Sequence, residues 1–465
     1  MPIKFTKTQP ATPFTFYILY FTFYIFFLGC SSQKQINKTA KSTVLGDSAL
    51  QHAHIGISIF DPSSGKYIYN HNGASYFVPA SNTKIVTCYA AMKYLGDSLP
   101  GIKYLITENG IVLIPTGDPS LLHADYKTQP VIDFLKKQQP PLFISDKNWQ
   151  TDALGAGWAW SDYNFYYSPE RSALPVYGNI LTWTQEGADS SNEDQSATIY
   201  SNPEVNWKVR FNPDTTSKRF YVQRQKDENV FLISEGKEKK KVQEVPFVTH
   251  GIQSALELLK DTIGKEISIL EQLPPFTEAT RGKPPYGRPK TNTIYSQKTD
   301  SVLKPMMHRS DNFFAEQLLL MVANERFGVL NEDKIIDTLL KSDLKDLPQK
   351  PGWADGSGLS RFNLFTPQDF VAILNKMQNE FGMNRIKDVF QTGGEGTLSN
   401  YYRQDSGFIY AKTGSLNGVL ALSGYLYTNN NKLLLFSVLI NNHRGNTTAI
   451  RRQVESFLGQ IRKKY

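Results

Sequence analysis

The chain has 465 residues, with 51 Lys and Arg against 43 Asp and Glu, a net charge of +8 and a hydrophobic share of 40%. That apolar share excludes an intrinsically disordered chain, and the length suffices for two or three domains. The positive balance is read first as a solvated basic surface suited to anionic surroundings such as cell-wall polymer or lipid head groups; nucleic acid is not expected, because no basic stretch is interleaved with aromatic residues.

At the N-terminus Lys4 and Lys7 precede an apolar run from Pro13 to Leu28, and Gly29-Cys30 follows directly. This charged-then-apolar layout is that of an export signal. The run is shorter than the roughly 20 residues of a membrane-spanning helix. A cysteine after a small residue at its end resembles a bacterial lipoprotein signal. That resemblance implies lipidation at Cys30, a signal over 1–30 and a membrane-anchored envelope protein facing the periplasm. Ser31, where an aspartate is absent, favours the outer membrane. Phe27 and Leu28 depart from the usual signal, and an uncleaved signal anchor is the alternative. The polar, aromatic-free residues 31–43 read as a tether. The second cysteine, Cys88, is expected as a buried free thiol.

Two β-rich runs around DPSSG, within HIGISIFDPSSGKYIYN, predict a hairpin. A helix is predicted to begin near Ser81 and to end at LGDSLP. From about 101 to 290 short β-type runs (GIVLIP, NILTW, ATIYS, WKVRF, RFYVQ, VFLIS) alternate with turn residues, with one helix near HGIQSALELLKDTI. After Thr291 the pattern is αβ: a strand at TIYSQKT, helical segments around SDNFFAEQLL and PQDFVAILNKMQNEF, then GFIYAKT, GVLALSGYLY and KLLLFSVLI as an antiparallel meander. AIRRQVESFLGQIRKK closes the chain as an amphipathic helix.

Ser81-Asn82-Thr83-Lys84 places serine and lysine on one helix face, where an amine can take a hydroxyl proton. The spacing alone is weak, since it recurs at Ser31, Ser63, Ser234, Ser301 and Ser342. Ser81 is singled out by its partners: Ser310-Asp311-Asn312 and Lys412-Thr413-Gly414 follow in order, the trio of serine acyl-transfer enzymes that penicillin acylates. In that chemistry Ser81 is the nucleophile and Lys84 its base, active only when neutral; burial and the second cation Lys412 lower its pKa. Ser310 relays a proton to the leaving amine. Asn312 holds the substrate amide and Lys84 together. Lys412, Thr413 and Ser415 form a cationic, hydroxyl-rich strand that suits a terminal carboxylate, and Gly414 leaves room for substrate. The N–H groups of Ser81 and Ser415 are the natural oxyanion donors, one such donor being worth about 3 kcal/mol.

With FVPASNTK, GDPSL, YYSPERSALPVYGN, SDNFFAEQLL, DGSGLSRFN, GGEGTL and AKTGSLNGVLALSGYL in place, the chain resembles the class C low-molecular-mass penicillin-binding proteins, the D-Ala-D-Ala carboxypeptidase/endopeptidase family related to DacB. The resemblance runs from about Ser48 to Phe457. It implies an α/β (α+β) fold: a transpeptidase/β-lactamase-like domain built from 44–100 and 291–465, with a five-stranded antiparallel sheet flanked by helices, and one or two inserted β-rich domains over 101–290. It implies peptidoglycan stem peptides as substrate, β-lactam antibiotics as covalent inhibitors, and no metal or cofactor; His52 and His54 are the only close histidine pair. Phe313, Phe362 and Phe365 depart from the family and are expected to narrow the pocket. Two other readings are a non-catalytic cell-wall-binding lipoprotein of the same fold and a β-lactamase. The latter lacks an ExxLN deacylating glutamate between SDN and KTG.

Overall fold

A computed structural model of the chain describes residues 34–187, 197–212, 219–271 and 291–465. The lipidation candidate Cys30 and the apolar run before it lie outside the described residues. Among the described residues no helix is long and apolar enough to cross a membrane.

The two ends of the sequence meet in one sheet. Strands β1 (His54–Asp61) and β2 (Lys66–His71) form the predicted hairpin, and β14 (Ile409–Leu416), β15 (Val419–Tyr427) and β16 (Leu433–Asn441) form the predicted meander. The order is β14-β15-β16-β1-β2, antiparallel throughout. The middle strands are apolar on both sides because helices cover both faces. Alternate residues divide them: Ala421, Tyr425, Leu435 and Leu439 face one helical layer, and Leu420, Leu422, Phe436 and Val438 the other. At the centre Ser423, opposite Ser437, is satisfied by a 2.8 Å hydrogen bond between their hydroxyls.

The first layer holds α2 (Thr83–Tyr94), α5 (Thr299–His308), α6 (Asn312–Phe327), α7 (Glu332–Lys341) and α8 (Pro367–Val389). Thr366 starts α8 in a reciprocal cap with Asp369, with Pro367 in the first turn where its missing N–H costs nothing. Cys88 is a buried free thiol inside α2, and burial pushes its pKa up. The opposite face is covered by α9 (Thr447–Lys464), whose Ile450, Val454, Phe457, Leu458 and Ile461 form its buried stripe. Each such side chain contributes about 1.5–3 kcal/mol by leaving water.

Beside α9 lies α1, residues 34–42. This segment was expected to be part of the polar tether. Instead Ile36 and Ala40, four apart on one face of the helix, and Val44 in the turn after it are buried against the sheet.

The inserted region has a core of its own, in which Ile102, Leu113, Ile144, Leu181, Phe231 and Phe247 are buried. It contains β3 (Ser98–Thr107), β4 (Gly110–Pro115), β5 (Leu142–Ile144), β6 (Ile180–Glu186), β7 (Thr198–Asn202), β8 (Lys208–Phe211), β9 (Tyr221–Arg224), β10 (Val230–Ser234), β11 (Lys240–Pro246), β12 (Ile267–Ile269) and β13 (Asn292–Lys298), with helices α3 (Pro130–Lys137) and α4 (Gln253–Ile263). These strands form a mixed sheet β12-β5-β4-β3-β13 and two three-stranded sheets, β8-β10-β9 and β11-β6-β7.

Two sequence expectations need correction here. The strand at TIYSQKT, grouped by sequence with the segment 291–465, is β13 and pairs with β3 in the inserted sheet. Helix α3 was not foreseen. Its eight residues are too short for a clear period, although Pro130 in the first turn and buried Val131, Ile132 and Leu135 carry the signal.

Candidate active site

Ser81 sits in a single 3-10 turn, Ala80–Asn82, that feeds α2. Ala80 adopts φ +47 and Ser310 φ +63, left-handed backbone that costs a non-glycine residue roughly 1–3 kcal/mol and clusters at working sites. Asp311 makes the N-cap of α6, accepting the Phe314 N–H at 3.0 Å. Ser310 is therefore not spent on capping, and its hydroxyl is free to face the site.

Lys84 Nζ donates to three groups: Ser81 Oγ at 3.0 Å, Asn312 Oδ1 at 2.6 Å and the Ser357 carbonyl at 2.7 Å. The last two only accept. Ser81 alone can reverse roles and give its O–H to the amine lone pair once Lys84 has lost a proton. Lys84 is fully buried, and burial lowers its pKa to about 8, against the opposing pull of Asp355, Glu316 and Asp311. This corrects the expectation that the second cation lowers it. The lysine–lysine repulsion registers on Lys412, which burial and then Lys84 push well below its ordinary value.

Lys412 Nζ donates to Ser310 Oγ at 2.8 Å and to the Thr413 carbonyl at 2.8 Å. Asn312 Nδ2 donates to the Tyr167 carbonyl at 2.8 Å, so its amide bridges Lys84 and the inserted region. Ser81, Ser310, Asn312 and Ser415 line one cleft of about 880 Å3, with Lys84 and Lys412 buried behind them. Thr413 is elsewhere: its Oγ1 lies 2.6 Å from Thr397 Oγ1, and it is not part of the cleft lining. Ser415 Oγ accepts from Arg451 of α9 at 2.7 Å.

Gly414 has a use that the sequence reading missed. A Cβ there would stand 2.7 Å from the Pro79 carbonyl and 3.1 Å from the Ser81 nitrogen. The glycine lets β14 press against the turn that carries Ser81, and Asn82 Nδ2 donates across the same seam to the Lys412 carbonyl at 3.2 Å. Gly414→Ala is expected to displace the strand from Ser81 and slow acylation by penicillin about 100-fold, since misplacements near 1 Å carry such costs. Stopped-flow acylation beside a thermal melt checks this; a full-speed variant sinks the account.

Within the DGSGLSRFN loop one carboxylate gathers four donors. Asp355 accepts from Gly358 N–H, Asn363 Nδ2 and Ser360 N–H, each at 2.7 Å, and from Trp158 Nε1 at 3.0 Å. This fold of the loop aims the Ser357 carbonyl at Lys84. Of the three phenylalanines expected to narrow the pocket, Phe313 lines the cleft and Phe362 is 65% exposed. Phe365 is fully buried and exchanges backbone hydrogen bonds with Phe77, so it does not reach the cleft.

Sequence reasoning missed the Ser357 carbonyl, Asp355, Glu316, Tyr167 and Arg451 as site components. The quoted DGSGLSRFN stretch was the only available signal for the first two.

Residues 38–461 match the model of the family described as D-Ala-D-Ala carboxypeptidase 3 (S13). The chain is 24% identical over 452 residues to a D-alanyl-D-alanine carboxypeptidase of Actinomadura sp. (strain R39), covering 86% of this chain and 80% of that protein. It is 24% identical over 424 residues to D-alanyl-D-alanine carboxypeptidase DacB of Haemophilus influenzae, covering 84% and 86%. The fold is similar to the crystal structure of penicillin binding protein 4 (dacB) from Haemophilus influenzae, with TM-score 0.71 and 21% identity over 92% of this chain and 99% of that one.

Proposed function

The chain belongs to the D-Ala-D-Ala carboxypeptidase 3 (S13) family, and on that premise we propose that it cleaves peptidoglycan stem peptides as a serine-type D-Ala-D-Ala carboxypeptidase and D,D-endopeptidase, through an acyl-enzyme on Ser81. The observation that carries this reading is the hand-off geometry at Lys84: two fixed acceptors and one hydroxyl that can turn donor.

In the proposed cycle neutral Lys84 takes the Ser81 proton as Oγ attacks the carbonyl carbon of the penultimate D-Ala. The N–H groups of Ser81 and Ser415 receive the developing oxyanion. The C–N bond then breaks. The proton on Lys84 passes through Ser310, polarised by Lys412, to the departing nitrogen, which leaves as a neutral amine. In the second half a water gives its proton to Lys84, its oxygen attacks the ester carbon, and Ser81 Oγ leaves and recovers that proton. Ser415, which lines the cleft, is assigned to the terminal carboxylate, with Lys412 buried behind it as the nearby cation and Gly414 assigned from its motif. Thr413 has the same assignment from its motif, which requires it to exchange its Thr397 contact for the ligand. No cofactor enters these steps.

The endopeptidase capacity is supported by the reach of the cleft, which continues from Ser81 to Ile180, Thr182 and Asn202 of the inserted sheets and leaves room beyond the reacting carbonyl. The test is to give the protein a pentapeptide stem and a crosslinked dimer. Release of D-Ala from the first and of monomer from the second is expected. Stable penicillin acylation without turnover of either supports a non-catalytic wall-binding protein; rapid penicillin hydrolysis supports a β-lactamase. β-Lactams act here as covalent inhibitors in the same reading, consistent with the Haemophilus influenzae relative solved with a β-lactam.

The same proposal places the protein in the cell envelope, exported and anchored through lipid at Cys30 to the outer membrane. The charged-then-apolar residues 4–28 and the cysteine after Gly29 support this. Radiolabelled palmitate is expected in the wild-type protein and absent from Cys30→Ser, which also leaves the membrane fraction. Label retained in the variant rules out the anchor.

A further inference from the structure

Behind Lys84 two consecutive peptide groups are each held at both ends. The peptide between Gly356 and Ser357 takes Thr87 Oγ1 on its carbonyl at 2.6 Å and gives its N–H to Glu316 Oε1 at 2.7 Å. The next peptide gives its carbonyl to Lys84 Nζ at 2.7 Å and its N–H to Asp355 at 2.7 Å. Lys84 and Thr87 come from one face of α2, and the two carboxylates hold the loop from the far side. The loop lies directly on α6: a Cβ at Gly356 would stand 2.6 Å from the Ala315 carbonyl. Glu316 is fully buried and touches no part of the cleft.

Its other oxygen meets Arg171 Nη1 at 3.3 Å; Arg171 in turn pairs with Glu332 at 2.8 Å and holds the Asp152 carbonyl at 2.9 Å. Arg171 is 1% exposed, so this is a dry chain of charges running from the inserted region to the base. The charged groups facing it are Arg171 from the inserted region, Glu332 at the start of α7, Asp355 from the loop, Lys84 from α2 and Asp311 at the start of α6.

We propose that Glu316 is the positioning residue for the catalytic base: it locks the Ser357 carbonyl onto Lys84, and its own ionisation sets, together with Lys84, the pH at which acylation switches on. This rests on the reading of Ser81 and Lys84 given above. Burial and then the charge of Asp355 raise the Glu316 pKa to about 7, while Arg171 pulls it down. The Glu316 carboxyl is thus raised toward the range in which Lys84, lowered to about 8, also titrates. Its negative charge favours protonated Lys84, and its protonation weakens the acceptor that holds Ser357.

The experiment is the pH dependence of acylation by a fluorescent penicillin, on the full-length protein in detergent, for wild type, Glu316→Gln and Glu316→Asp. Glutamine keeps an acceptor for the Ser357 N–H but removes the charge and the titration. The wild-type acid limb is expected to be steeper than one proton. Glu316→Gln is expected to show a one-proton limb with its midpoint about one pH unit lower, since removing a neighbouring anion favours neutral lysine. Glu316→Asp restores the steeper limb. A Glu316→Gln profile that only loses amplitude, with slope and midpoint unmoved, marks Glu316 as merely structural and overturns the proposal. If Glu316→Gln does not fold, the wild type decides: a one-proton limb overturns the proposal as well. Failure of the underlying reading looks different, because acylation then survives in Ser81→Ala.

Discussion

Ser81→Ala is expected to leave no covalent band with fluorescent penicillin and to lower turnover of a stem pentapeptide by a factor on the order of 10^4 or more. The size of the effect follows from the chemistry. Without Oγ there is no acceptor for the acyl group, and Lys84 has nothing to deprotonate at the 3.0 Å contact. The remaining groups still bind and polarise the substrate, which is why some excess over the water reaction survives. The substitution removes one partly exposed hydroxyl, so the melting temperature stays within a few degrees. A band of wild-type intensity in a folded Ser81→Ala protein moves the nucleophile elsewhere and ends this account of the site.

Lys84→Met is the second large effect, a loss of roughly 10^2–10^4 in acylation, the usual worth of a positioned general base. Its signature is in the pH dependence. With the folded pKa lowered to about 8, the neutral and therefore active form accumulates as pH rises through that value, and only about one tenth is neutral at pH 7. Wild-type acylation should therefore climb from pH 6.5 to 9, and the methionine variant should stay flat and low over the same range. Methionine leaves the Asn312 and Ser357 oxygens without their donor, a cost of about 1–3 kcal/mol for each if it stays dry, partly offset by removing a buried amine. A methionine variant whose rate still climbs through pH 8 means that another group is the base.

Much of the outer framework was legible without coordinates. The apolar runs GVLALSGYLY and KLLLFSVLI with their short turns, the hairpin at DPSSG and the amphipathic C-terminal helix each depend on neighbours in the chain, so their signals survive in the residues. The misses share a cause. Helix α1 hid in a polar segment because three small or aliphatic residues at spacing four are a faint signal until a sheet face is there to bury them. Strand β13 was grouped with the segment after 291 because its pairing with β3 is a contact across nearly the whole insertion. Phe365 looked like a pocket residue from its place beside a functional loop, and packing put it in the core.

The sequence by itself determined which residues stand together at the candidate site: Ser81 beside Lys84, with Ser310, Asn312 and Lys412 near them. Ser81 and Lys84 are three residues apart, and local helical geometry brings them together whatever the rest of the fold does. Tertiary structure decided the surroundings that lower the Lys84 pKa to about 8 and so suit it to the proposed role of base. Its other two contacts come from 228 and 273 residues away. One of them is a main-chain carbonyl, which every residue possesses and no residue type announces. The carboxylates that aim that carbonyl, Asp355 and Glu316, act through peptide N–H groups and through burial. Both depend on which surfaces the finished fold closes against each other.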